Sequence, residues 1–107
     1  MDLNSSLLAQ AEVGNLLVVK FLVEQGADIN STNVYGNTAL HWASNYGYLD
    51  NVKFLVEQGA DVNCVNEFGK TPADVGSEYP EIVEFFEEER EKTEKKEFAE
   101  FDRLINN

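Results

Sequence analysis

The chain has 107 residues, 43% of them hydrophobic, which is enough for one compact domain with a packed core along most of its length. Twenty acidic side chains against eight basic ones leave a net charge of −12, a field that repels phosphate backbones and anionic lipid and argues against nucleic-acid or membrane-surface binding. A lone cysteine, Cys64, allows no internal disulfide, and Met1-Asp2-Leu3-Asn4 lacks the basic flank and long apolar stretch of a secretory signal, so a soluble protein of the cytoplasm or nucleus is expected.

The chain repeats itself. Val19-Lys20-Phe21-Leu22-Val23-Glu24-Gln25-Gly26-Ala27-Asp28-Ile29-Asn30 returns as Val52-Lys53-Phe54-Leu55-Val56-Glu57-Gln58-Gly59-Ala60-Asp61-Val62-Asn63, with eleven of twelve positions identical at an offset of 33. At that offset Leu7 matches Leu40, Gly14 matches Gly47, Asn33 matches Asn66, and Gly36-Asn37-Thr38 matches Gly69-Lys70-Thr71. Each unit reads as turn, short helix, glycine turn, longer helix, glycine stop. In the second unit Thr38 predicts a helix N-cap, Ala39–Tyr46 the first helix and Gly47 its end. A second helix follows from about Leu49 to Gln58, with Val52, Leu55 and Val56 on one side. Asp61–Gly69 then predicts a hairpin-like turn, with Asn63, Asn66 and Gly69 as residues that tolerate positive φ.

The third unit departs from its predecessors. Pro72 suits a first helical position after Thr71. Glu81-Ile82-Val83-Glu84-Phe85-Phe86 arrives two residues early, after Ser77-Glu78-Tyr79-Pro80, with Ser77 or Tyr79 at the cap. Glu87-Glu88-Glu89 replaces the apolar end of that helix, which predicts a C-terminal cap on the array. From Glu81 to Asn107 there are ten acidic and five basic residues. Glu88–Lys92 and Glu91–Lys95 are i,i+4 pairs in the favourable order, each worth about 0.3–0.5 kcal/mol in a helix. Phe98, Phe101, Leu104 and Ile105 then resume at helical spacing. Either these last turns fold back on the cap, or they form an adhesive face for a partner or a second copy; burial is expected in both cases.

Gly36-Asn37-Thr38-Ala39-Leu40-His41-x-Ala43, followed by Gly47-Tyr48-Leu49-Asp50-Asn51-Val52 and Glu57-Gln58-Gly59-Ala60-Asp61-Val62-Asn63, resembles the ankyrin repeat over roughly residues 3 to 87. The first unit lacks the leading turn and the Thr-Pro-Leu-His motif, and the third has Ala73-Asp74 in place of Leu-His. The resemblance implies an all-α solenoid of stacked helix-turn-helix units with hairpin-like turns. Residues 1–89 would form the repeat domain, with units at about 3–30, 31–63 and 64–89, and residues 90–107 an acidic helical extension. It also implies that His41 fastens neighbouring units through hydrogen bonds to turn backbone.

The residues themselves point away from catalysis. A single histidine without a matched nucleophile is no catalytic site, and one His with one Cys falls short of a zinc site. Cys64 stands where Ser31 stood one unit earlier, a tolerant turn position. Glu87-Glu88-Glu89 is a hydrated run without the dry pocket that splits carboxylate pKa values. No glycine-rich phosphate cradle appears, so neither cofactor nor metal is expected.

What remains is a surface. The resemblance implies that partners dock on a concave face of turn tips and first helices: Thr32, Val34, Tyr35, Asn37, Asn45 and Tyr46 from the second unit, and Val65, Glu67, Phe68 and Lys70 from the third. Ser77, Glu78, Glu12 and Val13 would add to its edges. Tyr35 and Phe68 share one tip position, and aromatics anchor interfaces well; Trp42 is expected mainly in the core. The Leu-x5-Asp-[Ile/Val]-Asn stretches ending at Asn30 and Asn63 resemble targets of the asparaginyl hydroxylase that modifies ankyrin repeats, although such an asparagine also knits its turn together. The expected role is protein–protein binding as scaffold, adaptor or inhibitor, with a basic partner surface favoured by the acidic balance. The alternative is a homo-oligomer assembled through the C-terminal helix. A short chain of near-identical units is also compatible with a piece of a longer array.

Overall fold

The computed structural model describes residues 2–106. Six helices follow one another: α1 (Leu3–Val13), α2 (Leu16–Glu24), α3 (Ala39–Asn45), α4 (Leu49–Glu57), α5 (Pro72–Val75) and α6 (Pro80–Asn106). Among the described residues there is no strand. The helices make three hairpins, α1–α2, α3–α4 and α5–α6. First helices lie side by side in one layer, α1 on α3 on α5, and second helices in another, α2 on α4 on α6. The all-α stack of duplicated units is as the sequence implies.

Local chemistry fixes the helix starts. Asp2 caps α1 by accepting from the Asn4 N–H at 3.1 Å, and this bond holds its carboxyl below the usual carboxylate range. Asn15 caps α2 through Val18 N–H. Thr38 and Thr71 cap α3 and α5 inside reciprocal capping boxes, closed by His41 and Asp74. Pro72 takes the first position of α5, and Tyr79, not Ser77, precedes α6, its carbonyl accepting from Ile82 and Val83 N–H at 3.0 Å each.

One apolar seam runs through all three units. Leu7 and Ala11, then Leu40 and Ala43, line the first layer, while Val19, Leu22, Val52, Leu55, Ile82 and Phe86 line the second. Cross-repeat links hold it in register. The Tyr48 ring lies over Gly14, and the Tyr79 ring over Gly47. A Cβ on Gly47, where φ is 75°, would stand 2.6 Å from Tyr79 Cδ1, so only glycine permits that approach. Lys20 Nζ sits 5.6 Å from the Phe54 ring of the next unit.

The turns differ from expectation in one respect. Among the described residues every positive φ belongs to a glycine, so Asn63 and Asn66 do not use their tolerance. Asn66 instead bends the turn with its side chain, Oδ1 accepting from Phe68 N–H at 2.9 Å and Lys70 N–H at 3.1 Å. Asn33 does the same for Tyr35 and Asn37.

The tail corrects two further expectations. α6 runs unbroken to Asn106, and its last turns do not fold back on the cap. Phe98, Phe101, Leu104 and Ile105 remain 70%, 60%, 80% and 62% exposed, so this chain alone does not bury them. The ion pairs of this helix are Arg90–Glu94 at 3.1 Å and Lys92–Glu89 at 3.0 Å, in place of the expected Glu88–Lys92 and Glu91–Lys95. With glutamates and lysines at almost every position, several partners compete for each ammonium, and spacing alone does not choose among them.

Candidate functional site

The turn tips of the second and third units stack on each other. Glu67 N–H donates to the Tyr35 carbonyl at 2.9 Å, and Asn66 Nδ2 donates to Asn37 Oδ1 at 2.9 Å. This backbone registry brings Tyr35 and Phe68 together, ring centroids 6.3 Å apart and stacked, although they remain 53% and 69% exposed. Val34 and Val65 flank them, also exposed.

Below the tips two hollows open on either side of Trp42. The larger, of about 600 Å³, is lined by Ser5, Leu8, Ala9 and Glu12 of α1, by Thr32, Asn33 and Val34 of the turn, and by Trp42. The smaller, of about 200 Å³, is lined by Asn37, His41, Trp42, Asn45, Asn66 and Val75. Trp42 packs against the core but is only half-buried, and its ring stacks on Tyr46 with planes 5° apart and centroids at 6.1 Å; Tyr46 in turn meets Tyr48.

The structure therefore gathers Thr32, Val34 and Glu12 in one hollow, Asn37 and Asn45 in the next, and Tyr35 with Phe68 at the rim. Glu67 and Lys70 bear on the site through their backbones as well: Lys70 N–H is held by Asn66, and its carbonyl by His41. Ser77 and Glu78 are exposed but line neither hollow; Val75, half-buried on α5, takes that edge instead. Ser5, Leu8 and Ala9 were missed. Their spacing along α1 with Glu12 was available as a signal, since these four positions share one face of a helix.

His41 is a joint, not a reagent. It is 2% exposed. Its Nε2 lies 2.9 Å from the Lys70 carbonyl, which fixes that nitrogen as the proton carrier, and its Nδ1 accepts from the Thr38 N–H at 3.1 Å. Burial holds its pKa below the usual histidine value, opposed by the Lys70 carbonyl. Burial likewise pushes the Cys64 thiol up; Sγ donates to the Asp61 carbonyl at 3.1 Å. Such a thiol is a poor nucleophile. Among the described residues no three His, Cys, Asp or Glu side chains gather as metal ligands.

The family model described as "Ankyrin repeats (3 copies)" matches residues 6–96. The chain belongs to the ankyrin-repeat family. None of the curated proteins matches it. Ankyrin repeats generally mediate protein–protein interaction and are generally non-catalytic. Within this ankyrin stack the matched region ends inside α6, seven residues beyond Glu89. No helix among the described residues is long and apolar enough to cross a membrane.

Asn30 carries the ankyrin turn across a joint: its Oδ1 accepts from Asp61 N–H at 2.8 Å. In the first unit Asn4 supplies the equivalent bond to Asp28 N–H at 2.7 Å. Asn63, one repeat on from Asn30, borders a groove of about 430 Å³ between the second turn and α6.

Proposed function

We propose that this protein is a non-catalytic binding module, a scaffold, adaptor or inhibitor that occupies a partner protein's surface through Thr32, Val34, Tyr35, Asn37, Asn45, Tyr46, Val65, Glu67, Phe68 and Lys70. One observation carries this reading: Tyr35 and Phe68 are stacked and held in register by a backbone bond between the turns, yet each residue is more than half exposed. Rigid aromatic surface presented in this way is ready to bind with little ordering cost. The net charge of −12 favours a basic partner surface and salt-sensitive association. The single cysteine suits a reducing compartment, the cytoplasm or nucleus.

The test compares partners captured by the wild-type chain and by the Tyr35→Ala/Phe68→Ala variant. Exposed side chains of this kind should change stability by less than about 1 kcal/mol, while a true partner is lost from the variant. Unfolding of both single variants would mark them as packing residues and defeat the assignment.

A second reading has its own observation. The stripe of Phe98, Phe101, Leu104 and Ile105 on the exposed C-terminal part of α6 favours self-association through that helix. Light scattering of the wild type against Phe101→Glu decides it: a dimer lost in the variant supports the oligomer, and a monomer in both rejects it. Asn30 and Asn63 are further proposed as hydroxylation sites. Asn63 should react first, because the Asn30 amide oxygen is bonded to Asp61. Intact mass of protein made in its native cell, lacking any species heavier by oxygen, would dispose of this.

A further inference from the structure

The larger hollow is chemically lopsided. Leu8, Ala9 and Val34 give it apolar walls, Trp42 borders it from α3, and Glu12 supplies a carboxylate at the end of α1. No basic side chain lines it. The ion pairs among the described residues both lie in α6, so the charge of Glu12 is uncompensated by a salt bridge. The indole is braced by Tyr46, whose ring runs nearly parallel to it.

An occupant that matches needs a long apolar stem and a planar cationic head. Arginine has both. Its methylenes lie along Leu8, Ala9 and Val34 in the way that long charged side chains cover apolar surface. Its guanidinium pairs with a carboxylate through two N–H groups and stacks on an aromatic face, which a lysine ammonium does not do. An aliphatic occupant would desolvate Glu12 without pairing it, and an acidic one would be repelled by it and by the net charge of −12. Trp42 also borders the second hollow, where the exposed Asn45 amide offers one donor group and one acceptor to the backbone of the same segment.

We propose that the hollow between α1 and Trp42 is the anchoring subsite for an arginine side chain carried on a basic segment of the partner protein, with Glu12 as its counter-ion. This rests on the reading of the turn-and-helix face as the binding surface, and it adds which residue of the partner is recognised.

The probe is the capped pentapeptide Ac-Ala-Ala-Arg-Ala-Ala-NH2 against its citrulline counterpart, which keeps length and planarity but loses the charge. Both are titrated into the full chain and followed by NMR. The arginine peptide should shift the Trp42 indole N–H and the Leu8 and Val34 methyls saturably, about three- to tenfold tighter than the citrulline peptide. That gap should close in Glu12→Gln, an exposed position whose amide spectrum reports an unchanged fold, and shrink with added salt. Absence of binding, equal affinities, a gap that survives Glu12→Gln, or shifts confined to the acidic stretch of α6 would each overturn the proposal. A partner lost by Tyr35→Ala/Phe68→Ala but kept undiminished by Glu12→Gln would overturn the arginine subsite alone and leave the binding face standing. A partner kept by both variants would remove both.

Discussion

α4 and α6 hold the same place in successive repeats and end differently. Each opens after a tyrosine, Tyr48 or Tyr79, whose ring covers the glycine of the preceding unit. Each then buries a short set, Val52 and Leu55 with the polar Asn51 in α4, and Ile82 and Phe86 in α6. α4 stops at Glu57 before Gly59, whereas α6 continues for twenty residues past Phe86 and buries none of them. The continuation is rich in Glu, Lys and Arg, strong helix formers, and contains neither Gly nor Pro. In one half of the molecule tertiary packing maintains the helix. In the other, local propensity does.

The largest expected effect tests that division directly. Leu55→Ala empties a fully buried position at the centre of the seam and should cost about 2–5 kcal/mol in urea unfolding. Leu104→Ala, at an exposed position of α6, should change stability by less than about 0.5 kcal/mol. Equal costs would show that the distal helix is packed in solution, on a second copy or a partner, and the comparison would fail.

Next comes the joint itself. Gly47→Ala forces a left-handed residue to carry a Cβ, worth about 1–2 kcal/mol by that strain alone, and must also push the Tyr79 ring aside. A loss larger than that strain, with Tyr79 resonances displaced, would show that the tyrosine–glycine contact fixes where α6 starts. A loss no larger would mean that Tyr79 yields freely.

These joints mark how far the sequence could be read. Eleven identical residues at an offset of 33 made the duplication plain, and period-3.6 spacing placed Leu40, Ala43, Val52 and Leu55 in one seam. Thr38 announced its own helix start because capping is local chemistry. What distance along the chain conceals is which side chains meet across a joint. Tyr79 over Gly47 joins positions thirty-two apart through a unit that had lost its glycine turn. The hollow beside Glu12 needs Ser5, Leu8 and Ala9, whose spacing puts them on one helix face with Glu12, but only Trp42 and Val34 opposite mark that face as the wall of a hollow. Of the two readings of the tail, the fold-back fails for a physical reason as well. Apolar residues at helical spacing imply burial, but not that the chain carrying them supplies the cover.

A smaller effect separates the two halves by pH. Neutral His41 bonds at both nitrogens, and its folded pKa lies below the unfolded value of about 6.5. Between those two values the unfolded chain binds the extra proton, so stability is full above about pH 6.5 and falls as the pH drops through that window. Asp2 and Asp74 also have lowered pKa values and act in the same direction but over a lower window: their contribution is present above about pH 4 and is lost only below it. Urea midpoints at pH 7.5 and 5.5 therefore isolate His41. The wild type should weaken at the lower pH, and His41→Gln, less stable at both, should show a flatter dependence. An equally steep variant would place the titrating group elsewhere.

The smallest effect lies in the middle of α6. Arg90 and Glu94 pair at 3.1 Å with both side chains mostly in water, a geometry worth less than about 0.5 kcal/mol once side-chain entropy and screening are counted. Arg90→Ala also keeps a strong helix former in place, so neither the unfolding midpoint nor the helical circular dichroism should move measurably. Arg90 does line the groove beside Val62, Asn63 and Phe86, which makes the variant more than a control. A cost above 1 kcal/mol would have to come from its stem covering that groove, because the ion pair is too exposed to supply it. The packed half of the molecule would then reach beyond Phe86 by one further turn.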